Sequence, residues 1–441
     1  MPADRTGPTP SEETSLKPVH RSFLLVRIAL LAALAMPAWA APLPTAEPED
    51  VGLSSERLRL IEATVKGWVD KKEVPGAVVM VARHGKLAYV TTQGMRDSAR
   101  GELLREDSIF RLYSMTKPIT TVTAMTLVEE GRLSLQEPVA RYIPEFKDMK
   151  VGVETFDPKT GAQTFTTVPA RRPVTVGDLL RHTAGLTYGP PLSTRTQIQK
   201  MYQEAGVWSQ SWVLADFART MARLPLVHEP GTAWEYGHNT DILGRVIEVA
   251  TGQTLDKAFE DRVLRPVKMT DTAFSLPAAK TGRLAQPQPD PYSGKTPDLI
   301  DFTQPQGFFA GGHGLVGTAG DYLRFCQMLL DGGSIDGARV LGPRTVEYMA
   351  SNHMHAGVAL GAGYLPGPGY GFGLGFGVRT DKGGADYNGS VGDYYWGGYA
   401  GTYFWIDPKE RLTVVFMTTE PVRRTQYRIA IRQLVYQAIA R

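Results

Sequence analysis

The sequence predicts a mixed α/β (α+β) fold. In it an antiparallel sheet is covered by the first and last helices and carries a mostly helical inserted lobe. Three observations predict it. β-Rich runs stand at both ends of the chain, amphipathic helical patterns lie just outside them, and the middle of the chain shows helix-spaced apolar residues separated by long loops. On this reading residues 41–107 and 301–441 build the sheet domain and 108–300 the lobe, as one unit over 54–441.

Residues 1–40 read as an export signal. A polar leader with Lys17, Arg21 and Arg27 precedes the apolar IALLAALAM and then Ala38-Trp39-Ala40, an A-x-A ending that predicts cleavage after Ala40. The apolar run is too short to span a bilayer, although Arg27 and the long leader leave an internal start or a retained anchor as alternatives. A periplasmic or secreted protein with no stable membrane span after cleavage is expected. Residues 41–53 form a lead-in, and Ser54 caps a helix running to Asp70 on Leu58, Leu60, Ile61, Val65 and Trp68. GAVVMVARHGKLAYVTTQG is a β-hairpin turning at His84-Gly85.

FRLYSMTKPITT opens a buried helix that ends at Gly131. A surface hairpin turns at Asp157-Pro158-Lys159-Thr160-Gly161. Thr175 caps a short helix that ends at a Gly185 turn, and SQSWVLADFARTMARLP and NTDILGRVIEVATG give two more helices, the second closing at Gly252. The stretch from Tyr188 to Trp208, with Tyr202, is a candidate cover for an acyl pocket, or plain surface. YGFGLGFGVR, YYWGGYAGTYFWIDP and RLTVVFMTT return to strands with a turn at 407–410, and a helix over Gln426 to Ala440 packs on the sheet.

A formal charge of +3 on 441 residues, without a basic run, gives no support for a nucleic-acid partner. The single cysteine, Cys326, cannot form an internal disulfide and sits on an apolar helix pattern, so it reads as a buried structural thiol. The histidines show no H-E-x-x-H spacing, and His353-Met354-His355 reads as a loop pair. The G-x-S-x-G elbow of triad hydrolases is absent.

The chemistry concentrates at Ser114 and Lys117. Three residues apart at a helix start, they share a face, so the ammonium can reach the hydroxyl and the helix N-terminus favours developing negative charge. The bland alternative is a cap followed by a solvated lysine. Tyr236, in a loop just before a helix, could act as base beside an ammonium, or could be a hydrogen-bonded core tyrosine. Trp396-Gly397-Gly398 could be a ligand edge or a bulge.

SMTK, then HTAGL (His182 to Leu186), the Tyr236 loop, GGHGLVGTAGDYLRF (Gly311 to Phe325) and WGG before GTYFWIDP, in this order, resemble the serine β-lactamase-like hydrolases. Within that superfamily of class C β-lactamases and D,D-carboxypeptidases, the family VIII esterases look most similar. The resemblance implies a β-lactamase/transpeptidase-like fold and attack by Ser114 on a carbonyl. It also implies a base shared by Lys117 and Tyr236, an oxyanion hole from the N–H groups of Ser114 and Tyr399, and hydrolysis of the acyl-enzyme by water, with no metal or cofactor. Two departures bear on the substrate. Penicillin-recognising relatives begin the strand motif with a cation or donor, whereas Trp396 here is expected to line the site with apolar surface, followed by Gly397 and Gly398. Y-x-N becomes Tyr236-Gly237-His238, with Asn239 one place late, and His238 either replaces the asparagine as a substrate donor or faces the core. The expectation is a small-molecule esterase for short-to-medium acyl groups. Its alternatives are a D,D-peptidase or β-lactamase and, from another class, a non-catalytic binding protein of the same fold.

Overall fold

The computed structural model describes residues 42–156, 158–161, 163–189, 196–361 and 363–440. The expected export signal lies outside the described residues, and among them no helix is long and apolar enough to cross a membrane.

The central strand Gly76–Arg83 is buried along its whole length, and its period of two explains why. Val78, Met80 and Ala82 enter one core while Ala77, Val79 and Val81 enter another on the opposite face. The C-terminal strand Leu412–Thr418 alternates in the same way and pairs antiparallel with it, Ala77 against Thr418 and Arg83 against Leu412. The two ends of the chain therefore share the middle of one antiparallel, eight-stranded sheet. From one edge its strands are Tyr370–Phe372, Gly377–Arg379, Tyr394–Gly397, Tyr403–Asp407, Leu412–Thr418, Gly76–Arg83, Lys86–Asp97 and Glu102–Leu103.

On one face the first helix, Ser55–Asp70, and the last, Arg424–Tyr436, bury Leu58, Ile61 and Val65 with Tyr427, Ile431 and Val435. Ser54 caps the first, its side chain accepting from the Arg57 amide. Helix Ala319–Leu330 covers the other face, with Cys326 fully buried. The hairpin turn places His84 at φ 52° and Gly85 at φ 76°.

Between the N-terminal and C-terminal strands along the chain comes the buried helix Thr116–Glu129, which ends with Gly131 at φ 68°. It is buried all round and carries threonines whose hydroxyls turn to backbone: Thr123 donates to the Ile119 carbonyl (2.9 Å) and Thr120 to the Gly311 carbonyl (2.5 Å). The middle segment adds the surface hairpin Lys150–Phe156 with Gln163–Pro169 and the helices Val176–Arg181, Gln197–Glu204, Leu214–Met221 and Asn239–Thr251. The helix capped by Thr175 ends at His182 in the left-handed conformation, three residues before the expected Gly185 turn, because His182 already satisfies the last carbonyls. The segment also opens on a strand that periodicity does not reveal. Ile109–Arg111 pairs antiparallel with Val316–Thr318 and so fixes where the chain enters Ser114.

Candidate active site

Ser114 lies in a single turn, Tyr113–Met115, leading directly into helix Thr116–Glu129. Tyr113 holds the left-handed φ of 45°, an unfavourable conformation for a side chain with a Cβ. Its hydroxyl accepts from the Ile300 amide at 3.0 Å and its ring meets Tyr399 edge-on at 5.6 Å. These contacts hold the turn.

One helical turn on, the Lys117 ammonium is fully buried and donates to three oxygens: the Ser114 Oγ (3.3 Å), the Tyr188 hydroxyl (2.8 Å) and the Gly312 carbonyl (2.8 Å). The same nitrogen stands 4.7 Å from the centre of the Tyr236 ring. The expected pairing of Ser114 and Lys117 is thus present, and Tyr188 joins it. Burial, with Tyr236 and Asp241 nearby, pushes the Tyr188 phenol well above the usual tyrosine range, so it donates or shares a proton while staying neutral.

Behind the lysine is a buried carboxylate. Asp241 Oδ1 accepts from the Gly312 amide (2.7 Å) and has His313 Nδ1 at 3.7 Å, while its Oδ2 lies 2.8 Å from His238 Nδ1. Burial would raise its pKa, but the His238 hydrogen bond and the proximity of His313, His238 and Lys117 outweigh burial and hold it at about 2. His313 is pushed down to about 4, chiefly by burial, and is neutral near pH 7. Asp241 therefore fixes the Gly312 peptide whose carbonyl holds Lys117.

Tyr236 is near the lysine but engaged elsewhere: its hydroxyl accepts from Trp396 Nε1 at 3.3 Å, and its ring stacks on Trp234 at 5.7 Å. Trp396 is only 4% exposed, packed against Phe372 and Tyr236. This corrects the expectation that its indole lines the site; it backs Tyr236 instead. His238 is also corrected as a substrate donor. As the residue before helix Asn239–Thr251 it points inward, fully buried against Tyr188, Trp208 and Phe217 and spent on Asp241. Asn239 is buried too, against His182 Nδ1 (3.0 Å).

Strand Tyr394–Gly397 ends in a tight turn that presents Tyr399 beside Tyr113. The Gly398 amide donates to the Thr402 carbonyl (2.8 Å) and the Thr402 hydroxyl to the Leu112 carbonyl (3.4 Å), two residues before Ser114. A Cβ at Gly398 would overlap that same Leu112 carbonyl, so the glycine permits this approach.

A cleft of about 590 Å³ opens over Ser114. Tyr113, Tyr188, Trp208 and Tyr399 give it aromatic walls, with Leu299 and Ile300 between Asp298 and Asp301. Trp208 stacks on Tyr188 at 5.0 Å. Of the expected covering residues, then, Tyr188 and Trp208 do line the cleft, whereas Tyr202 is buried with its hydroxyl on the Pro225 carbonyl (3.2 Å). Tyr188 lies two residues beyond Leu186, the last residue of the HTAGL motif. Asp241 carried a findable signal, a carboxylate one turn after His238 on the buried face of an apolar helix. Asp298 and Asp301 lie in a loop with no sequence pattern to place it.

The sequence model of the family described as Beta-lactamase matches residues 61–437. Esterase EstB of Burkholderia gladioli is 30% identical over 417 residues, covering 89% of this chain and 98% of that one. Protein Rv1367c of Mycobacterium tuberculosis is 36% identical over 368 residues, 81% of this chain and 88% of that one. Among solved structures, EstCE1, a hydrolase with promiscuous acyltransferase activity, superposes with a TM-score of 0.72 at 27% identity over 86% of this chain and 99% of its own. By the extent of that family match, the chain belongs to the beta-lactamase family.

Proposed function

We propose that the protein is an exported serine carboxylesterase that opens short-to-medium acyl esters through an acyl-Ser114 intermediate. The observation that carries this reading is the Ser114 Oγ beneath an aromatic-walled cleft, 3.3 Å from a buried ammonium held by Tyr188 and Gly312. The relationship to Esterase EstB supports the choice of ester.

In the step itself Lys117 acts as the free amine: it takes the Ser114 Oγ proton as that oxygen attacks the ester carbonyl, and the ammonium so formed returns the proton, through the Tyr188 or Tyr236 hydroxyl, to the departing alkoxide. The negative oxygen of the tetrahedral species is met by the N–H groups of Ser114 and Tyr399. The alcohol leaves, and water, deprotonated by the same group, attacks the acyl-enzyme and releases the acid. No cationic side chain lines the cleft among the described residues, which suits uncharged acyl groups better than the carboxylate of a penicillin or a peptide terminus.

A fluorophosphonate should label the wild type and not Ser114→Ala. A panel of p-nitrophenyl butyrate, p-nitrophenyl decanoate, nitrocefin and a D-Ala-D-Ala peptide should favour the butyrate. Nitrocefin or peptide turned over as fast as the butyrate would sink the esterase reading.

A further inference from the structure

Arg428, on the last helix, is a half-buried guanidinium with no carboxylate partner among the described residues. Its Nη2 donates to the Gly398 carbonyl and to the Thr402 carbonyl (2.9 Å), the two ends of the turn that carries Tyr399. Its Cζ lies 5.5 Å from the Tyr403 ring centre. A Cβ on Gly397 would come within 2.7 Å of that Cζ, so the first glycine of the Trp396-Gly397-Gly398 run makes room for the arginine. Burial and Arg424 lower its pKa to about 10, which leaves it charged near neutral pH. The Thr402 hydroxyl ties the same turn to Leu112.

A charge partly withdrawn from water normally finds an opposite charge; one spent on two carbonyls fixes backbone instead. Resting on the esterase reading above, we infer that Arg428 is a positioning residue for the oxyanion hole. It clamps Gly398 and Thr402 so that the Tyr399 N–H is aimed where negative charge develops. Gly397 is glycine so that the clamp fits. The guanidinium is not among the described residues that border the cleft over Ser114. Its effect is therefore on the transition state and not on ground-state binding.

Arg428→Gln and Arg428→Lys are compared with wild type on p-nitrophenyl butyrate and on phenylboronic acid, which forms a tetrahedral adduct with the serine. Complete loss of one oxyanion donor lowers kcat by about 100- to 1,000-fold, so mis-aiming it by Arg428→Gln should cost about 10- to 100-fold. KM should stay within about threefold, while boronate affinity falls in parallel with kcat. Arg428→Lys, which keeps the charge but carries it on a shorter, non-planar head that does not fill the guanidinium's place against Gly397, should recover only part of the loss. Equal kcat in a folded Arg428→Gln, or a kcat loss with boronate affinity unchanged, overturns the inference. If Arg428→Gln fails to melt cooperatively, Gly397→Ala displaces the guanidinium without deleting it, and the same parallel loss of kcat and boronate affinity decides. A wild type that neither hydrolyses esters nor takes a fluorophosphonate would instead remove the esterase reading itself.

Discussion

Tyr188 and Tyr236 divide between them what sequence reasoning assigned to Tyr236. The hydroxyl 2.8 Å from Lys117 belongs to Tyr188, while that of Tyr236 takes the Trp396 N–H. Which tyrosine reaches the ammonium depends on how helix Thr116–Glu129 packs against residues 182–189, a tertiary fact that no local spacing contains. Tyr188→Phe keeps the stack on Trp208 and removes only the hydroxyl. It should lower kcat by about 100-fold, the lower range of a lost proton-transfer group, and a loss below threefold would exclude Tyr188 from the proton path. His313 gives a second test. Its folded pKa of about 4 lies below the unfolded value near 6.5, so between those values the unfolded chain binds the extra proton and stability falls as pH drops. Asp321, raised chiefly by burial to about 6, works in the opposite sense between about 3.9 and 6. The comparison must therefore be with a variant. The melting temperature of His313→Asn, measured from pH 7 to pH 4.5, should fall less than that of wild type; parallel curves would show that His313 carries no such linkage.

At the scale of elements, what was legible rested on local chemistry. The turn at His84-Gly85, the Ser54 and Thr175 caps, and the stops at Gly131 and Gly252 each follow from one or two residues and a backbone preference. Strand Ile109–Arg111 was not legible, because three residues carry no period and its partner Val316–Thr318 is about two hundred residues away. The loop bearing Asp298 and Asp301 was missed for the same want of pattern. Gly237 shows an element junction that only the fold explains. Its φ is ordinary, yet a Cβ there would meet the Thr187 Cα at 2.6 Å and overlap the Leu186 carbonyl, so the Tyr236 loop lies flat on the segment leading to Tyr188. Gly237→Ala should therefore cost about 1–3 kcal/mol of stability and push Tyr236 out of register. Thr175→Ala, which removes a cap remote from Ser114, should cost about 1 kcal/mol and leave kcat unchanged well below its melting temperature. Calorimetry with kcat/KM separates them. If both variants lose activity only in proportion to unfolded fraction, the Gly237 contact has no part in the site.

Across the whole molecule, the ordering of motifs along the chain conveyed the family, because widely separated segments must meet beside one strand, Tyr394–Gly397, for that order to be useful. It did not convey the charge of the cleft. The chain is formally +3, yet among the described residues the charged groups bordering the opening are Asp298 and Asp301, with His313 neutral near pH 7. The positive charge of Lys117 is fully buried and already shared among three oxygens. Arg424, whose guanidinium stands 5.2 Å from the Tyr399 ring centre, is not among the residues bordering the cleft. An anionic acyl group should thus be disfavoured on entry. Two carboxylates at ~6 Å in a water-like dielectric cost ~0.7 kcal/mol each, together roughly tenfold. The expected outcome is a kcat/KM for the p-nitrophenyl ester of succinic acid about tenfold below that for p-nitrophenyl butyrate at low salt. Added salt should narrow the gap, since exposed charges are screened, and Asp298→Asn with Asp301→Asn should close most of it. A gap that persists unchanged in the doubly substituted protein would mean that the aromatic walls, not the rim charges, reject the carboxylate.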